Sequence, residues 1–168
     1  VELDCLLIQL AGFENQVKVV DTALAELVES LPDTYLTTIP GVGSTAAAIL
    51  LGEIGDIRRF ESAEQLIAYA GIDPSVHQSG QFLGSRAHMS KRGSPHLRRI
   101  LWLAATMARI KDPELNAFYQ KKRAEGKSYG TAMGAVCRKL LVRIFVILRE
   151  KRPYVVRDVT LQPDLIPA

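Results

Sequence analysis

Residues 94–150 read SPHLRRILWLAATMARIKDPELNAFYQKKRAEGKSYGTAMGAVCRKLLVRIFVILRE, and they decide the fold. Three helix starts follow one another. Ser94-Pro95 places a capping hydroxyl before a proline at the first helical position, where the missing N–H has no partner to lose. Behind it Leu97, Ile100, Leu101, Ala104, Ala105 and Ala108 recur at helical spacing, with Arg98 and Arg99 free to project toward solvent. Asp112-Pro113 opens a second helix to about Ala124. Ser128 begins the last and longest, to about Glu150, with a buried stripe of Ala132, Val136, Leu140, Ile144 and Ile147. Gly130 and Gly134 on that helix would let a neighbouring helix come close. The expected class is all-α, with no internal repeat.

Upstream the pattern changes. Gly71 to Ser94 has no clear helical period and holds four glycines, one proline and five serines. A loop this long inside a domain is functional or disordered. Before it, Ser62 caps a short helix, Ala63–Ala70, with Glu64 and Gln65 in the first turn. Residues 55–61 are a connector. Further back lies Ile39-Pro40-Gly41-Val42-Gly43-Ser44-Thr45, followed by Ala46, Ala47 and Ala48. The glycines allow a sharp turn, and Ser44 or Thr45 can cap the helix after it. This has the form of a helix-hairpin-helix, whose turn N–H groups, here around Gly41 and Gly43, meet a nucleic-acid phosphate without reading sequence. A plain αα turn packed through the alanines uses the same residues, and both readings stand.

Residues 1–31 are the most regular segment. Leu3, Leu10, Val17, Leu24 and Leu31 are spaced by seven, and so are Leu6, Phe13, Val20 and Leu27. These are a and d positions of a heptad, and they predict a coiled-coil arm that assembles with copies of itself. An amphipathic helix packed on its own domain is the competing reading. The chain divides into an arm (1–34), a compact helical domain with a long irregular loop (35–152) and an extended tail with three prolines (153–168). The start at Val1, without an initiator Met and inside a helix, points to a piece of something longer.

The net charge of +3 is a sum of unequal parts. Residues 1–34 carry seven acids and one base, whereas residues 75–152 carry 17 bases and four acids. A basic domain of this kind suits a polyanion, and an acidic arm suits a protein partner. Cys5 and Cys137 form no CxxC and have no paired His, which excludes a zinc site or a disulfide framework. Both read as buried thiols of a reducing compartment, the cytoplasm. No apolar run approaches the roughly 18–20 residues of a membrane span.

The candidate chemistry lies around the irregular segment. Arg86, Lys91, Arg92, Arg98 and Arg99 surround it, with His88 and His96, and cations converging on a helix N-terminus suit phosphate. Trp102, inside an apolar helix, reads as core. From residue 65 to 111 the only acid is Asp73, so two-metal hydrolysis, which needs converging carboxylates, finds no site. The other route is a nucleophilic serine, activated by a base or metal and beside a stabiliser of phosphoryl charge. Ser75, Ser79, Ser85, Ser90 and Ser94 are all available, and composition does not choose among them.

The ordered blocks Ile39-Pro-Gly-Val-Gly, Phe60, Leu66-Ile-Ala-Tyr-Ala-Gly71-Ile-Asp-Pro74, Ser79-Gly80, Ser90-Lys91-Arg92-Gly93 and Leu97-Arg98-Arg99 resemble the C-terminal domain of the DEDD-type insertion-sequence transposases. These are bridge-RNA-guided recombinases related to the pilin-gene invertases. The resemblance covers about residues 36–150, and the heptad arm matches the family's layout. It implies an N-terminal RuvC-like nuclease domain with four metal-binding acids, which is missing from this sequence. It implies that Ser79, in the block Gly71-Ile-Asp-Pro74-Ser-Val-His-Gln-Ser79-Gly80, attacks a DNA phosphodiester and holds the strand as a phosphoserine. Lys91, Arg92, Arg98 and Arg99 match a block expected to bind phosphates. DNA and a structured guide RNA are the implied partners. Mg²⁺ is implied for the full-length protein through the absent nuclease domain, with no cofactor on these 168 residues, which alone are expected neither to cleave nor to join DNA. The alternative is a non-catalytic helix-hairpin-helix module for nucleic-acid binding and oligomerisation.

Overall fold

A computed structural model describes residues 2–31, 34–73, 78–79, 82–83 and 89–157, the two short pairs as backbone only. Among them six α-helices carry the fold: α1 (Glu2–Ser30), α2 (Ser44–Ile54), α3 (Ala63–Ala70), α4 (Pro95–Lys111), α5 (Pro113–Ala124) and α6 (Tyr129–Glu150). Two 3₁₀ turns, Tyr35–Thr38 and Ile57–Arg59, link the early helices. A minimal antiparallel hairpin, β1 (Gln78–Ser79) and β2 (Phe82–Leu83), lies in the long segment, with Ser79 opposite Phe82. The class is all-α.

The C-terminal helices start where their caps direct. The Ser94 hydroxyl accepts the Leu97 N–H at 3.1 Å, Asp112 Oδ1 accepts the N–H groups of Glu114 and Leu115, and Ser128 accepts that of Thr131. Each satisfies a donor that the first helical turn cannot pair internally. Two early caps differ from expectation. At α3, Ser62 stands at the cap without a side-chain bond, and the Gln65 amide instead accepts the Glu61 N–H at 2.9 Å. At α2 the cap is Gly43, already extended, so the helix begins at Ser44 and neither Ser44 nor Thr45 caps it. Thr45 donates its hydroxyl to Asp21 on α1 instead.

α6 is the central helix. Its stripe of Ala132, Val136, Leu140, Ile144 and Ile147 is buried, joined by Met133, Cys137 and Leu141. It packs on α3, α4 and α5. Burial of each full-sized aliphatic side chain contributes about 1.5–3 kcal/mol. Cys137 belongs to this core, and burial pushes its thiol up to about 12. Cys5 does not: it is exposed on α1, whose residues before the last turns are exposed. Gly130 and Gly134 admit no helix. Gly130 has open space where a Cβ would be, and Gly134 meets only the end of Met89 at 3.5 Å.

α1 packs on α2 through its last turns, where Val28 is 4% exposed. The a and d residues before them stay open, with Leu10 54% and Phe13 62% exposed. Before α2 the chain forms the 3₁₀ turn Tyr35–Thr38. Gly41, at φ +92, turns its bare Cα onto α4, where a Cβ would lie 2.7 Å from the Met107 carbonyl carbon.

The start of the tail is docked. The Tyr154 N–H donates to Thr38 Oγ1 at 2.8 Å, and its phenol donates to Asp112. Asp112 and Glu114, both buried, face Arg143 and Lys139 of α6. Burial alone would raise the Glu114 carboxyl, but the hydrogen bonds and charges of Lys139 and Arg143 outweigh it and hold the carboxyl low. A carboxyl held low in the folded state adds stability above its unfolded pKa of about 4.3 and loses it as pH falls through the folded value. Glu114→Gln is expected to cost about 1–3 kcal/mol at neutral pH. That deficit should shrink as pH drops below about 4. Urea unfolding of both proteins across this range checks it, and a deficit constant with pH would refute the assignment.

Candidate nucleic-acid interface

The irregular segment is held at a neck. On one side, α3 ends at Gly71, whose left-handed φ of +66 turns the chain sharply. On the other, residues 90–94 lead into α4. The two strands of this neck are laced together. The Ser94 N–H donates to Tyr69 O at 2.9 Å, the Lys91 N–H to Gly71 O at 3.0 Å and the Ser90 N–H to Asp73 O at 2.9 Å. The Ser90 hydroxyl adds a bond to the Asp73 carboxylate. The crossing is so close that a Cβ on Gly93 would lie 1.8 Å from Tyr69 O. Lys91 takes a φ of +55, a conformation side chains rarely adopt, which the bonds on either side of it impose.

This neck assigns two of the five serines. Ser90 is bonded to Asp73. Ser94 caps α4 and donates to Glu53 Oε2 at 2.6 Å. Ser75 and Ser85 lie outside the described residues. Ser79 stands on β1, in the hairpin that the neck holds, and its side chain lies outside the described residues. Arg86 and His88 lie outside them as well.

Lys91, Arg92 and Arg99 are exposed around the neck, as is His96. Arg98 is half-buried instead of projecting to solvent. Its guanidinium donates to Ala70 O at 3.2 Å, because the C-terminal end of α3 presents a carbonyl beside the first turn of α4. Gly41 and Gly43 sit elsewhere, at the start of α2, and the structure does not bring them into this cluster.

Beside the neck runs an open groove of about 770 Å³, lined by Lys91, Arg98, Trp102, Arg138, Gly130 and Gly134 among others. Ile72 and Met89, at the two ends of the looped-out segment, also line it. No carboxylate is among its described lining residues.

A family model for the IS116/IS110/IS902 transposases matches residues 33–120, from the turn before α2 through most of α5. The chain belongs to the IS116/IS110/IS902 transposase family. Over 142 residues it is 31% identical to an uncharacterised 43.6 kDa protein of insertion element IS110 from Streptomyces coelicolor, covering 84% of this chain and 35% of that protein. It is 29% identical over 148 residues to the pilin gene-inverting protein of Moraxella bovis, covering 84% of this chain and 46% of the other. It is 27% identical over 159 residues to a transposase for insertion sequence element IS1111A from Coxiella burnetii, covering 90% and 43% respectively. The chain spans between a third and a half of the length of these relatives. No described helix is long and apolar enough to cross a membrane.

Within this IS116/IS110/IS902 member, sequence reasoning missed Arg138 and Thr131 and placed Trp102 in the core. Trp102 is half-buried, with part of it on the core and part on the groove. One signal was legible. Gly130, Gly134 and Arg138 are spaced by four on α6, which puts two bare positions and a cation on one face.

Proposed function

We propose that this chain is the C-terminal part of a DNA transposase or recombinase, in which Ser79 is the nucleophile and the basic surface around the neck holds nucleic acid. The observation that carries this reading is the neck itself. It lies within the family-matched region, presents Lys91, Arg92 and Arg98, and bears the hairpin with Ser79 while Ser90 and Ser94 are engaged in structural bonds. Oγ of Ser79 would give up its proton as it attacks phosphorus, and the bond from phosphorus to one deoxyribose oxygen would break as that oxygen takes a proton in return. One ester replaces another, so the phosphoserine keeps the strand ready for rejoining to a different end. Cations beside the neck would stabilise the charge that grows on the phosphoryl oxygens. A structured RNA, as the sequence blocks imply, would choose the ends.

Mg²⁺ does not fit the residues described. Among them no three His, Cys, Asp or Glu side chains converge, and Asp73 is bonded to Ser90. No step of the proposal passes through a metal on this chain, and the acids for one are proposed to lie on the nuclease domain of the longer protein. The experiment is capture of a covalent protein–DNA adduct by the full-length protein and its Ser79→Ala variant.

The same chain is proposed to assemble with copies of itself through α1. The open a and d stripe of Leu3, Leu6, Leu10, Phe13, Val17 and Val20 supports this, since an exposed apolar seam of that length is costly in water. Leu10→Lys combined with Val17→Lys is expected to lower the sedimentation mass to that of a monomer while helix content falls only slightly. A monomeric wild-type chain at tens of micromolar would end the self-assembly reading.

A further inference from the structure

We infer that the groove between α4 and α6 is a seat for an unpaired nucleotide, with its base stacked on Trp102 and its phosphates held by Lys91, Arg98 and Arg138. The inference rests on the nucleic-acid reading above for its ligand class and goes beyond it in site and in form. Three cations line the groove, and no carboxylate among the described residues neutralises them. Among those residues neither Lys91 nor Arg138 has an ion pair. Such a groove attracts polyanions by releasing their counterions.

The groove also holds an aromatic ring. Trp102 is half-buried and packed on the core, which fixes it in place, yet part of it lines the open space. It makes no ring pair with another aromatic side chain and no cation–π contact among the described residues. A packed, partly open indole in a groove that cations also line is the arrangement that single-strand binders use, because every base has a π-face.

The opposite wall has been left bare. Gly134 lies inside a helix, where glycine is unfavourable relative to alanine. No helix packs against it or Gly130, so close packing does not account for them. They line the groove with Trp102 and leave two positions of the α6 side without a side chain. A duplex keeps its bases stacked within the helix and could not present one to this wall, whereas an unpaired strand can.

Trp102 is the only tryptophan in the chain, so its fluorescence reports on the groove directly. The 168-residue chain is titrated at low salt with ten-residue oligo(dT), oligo(U), a blunt duplex of equal length and inorganic pyrophosphate. The expected result is a fluorescence change with one or both single strands and none with duplex or pyrophosphate. The stronger of the two single strands tells whether DNA or RNA is the preferred source. Measured by anisotropy of a labelled strand, Trp102→Leu should weaken binding about tenfold. Arg138→Gln should reduce the slope of log affinity against log salt by about one.

Trp102→Leu can also fail through loss of packing, and Gly134→Leu separates the two. It fills the groove, its Cβ meets only the movable end of Met89, and it removes a helix-interior glycine. It should raise the melting temperature while weakening single-strand binding about tenfold or more. Single-strand binding with unchanged fluorescence, or undiminished in Gly134→Leu, overturns the groove assignment and leaves the broader nucleic-acid reading intact. An equal response to duplex overturns the requirement for an unpaired base. No binding to any strand at low salt overturns the groove outright, while adduct capture by the full-length protein remains the separate judge of Ser79.

Discussion

Ser79→Ala in the full-length protein is expected to lower DNA strand cleavage by about a thousandfold or more, as removal of a covalent nucleophile does. Nucleic-acid affinity should change less than twofold. The contrast follows from where the residue sits. Lys91, Arg92 and Arg98 are placed by the backbone bonds of the neck and by α4. Losing one hydroxyl from β1 leaves that surface as it was. Denaturing electrophoresis of reactions with labelled DNA reads the adduct directly, and filter binding reads the affinity. Ser90→Ala and Ser94→Ala are the comparison. Each loses a hydrogen bond that holds the fold, to Asp73 or to Glu53 and the Leu97 N–H. They should lower the melting temperature and retain the adduct. An adduct that survives Ser79→Ala would move the nucleophile elsewhere. Equal losses of binding and cleavage would make Ser79 a structural residue.

How much of this was legible in the sequence depends on whether the causes are local. The starts of α4, α5 and α6 are set by Ser94, Asp112 and Ser128, each bonding an N–H within three residues, so reading along the chain finds them. The stripe of α6 follows from helical period in the same way. Causes that act across the chain were not visible. Gly41 allows a turn in either reading, and only the packing of α4 against it tells that its bare face is occupied. Arg98 looks solvent-facing on a helical wheel, yet the end of α3 reaches it. Cys5 and Cys137 are identical residues, one exposed on an arm and one in the core. The cation cluster was readable because its members are near neighbours in sequence. Arg138, about 40 positions away, joins it only through the α4–α6 packing.

Gly93→Ala is expected to destabilise the protein by about 3 kcal/mol or more. The added Cβ would lie 1.8 Å from Tyr69 O, 2.5 Å from Tyr69 C and 2.6 Å from Gly71 N. All three are backbone atoms, so no rotamer change relieves the overlap. The neck must open instead. Opening it breaks the bonds from Ser94 to Tyr69, from Lys91 to Gly71 and from Ser90 to Asp73, each worth about 1 kcal/mol net. A fold of this size should lose on the order of 6–12 °C in melting temperature. Gly52→Ala provides the opposite sign. Gly52 lies inside α2 with nothing within 4 Å of its Cβ position, so alanine should stabilise by about 1 kcal/mol. The pair separates a general intolerance of change from the specific crossing at the neck. If Ser79 acts as proposed, opening the neck at the base of its segment in the full-length protein by Gly93→Ala should lose adduct formation at temperatures where circular dichroism still reports full helix content. Retention of both stability and adduct would mean that the two strands of the neck do not meet at Gly93.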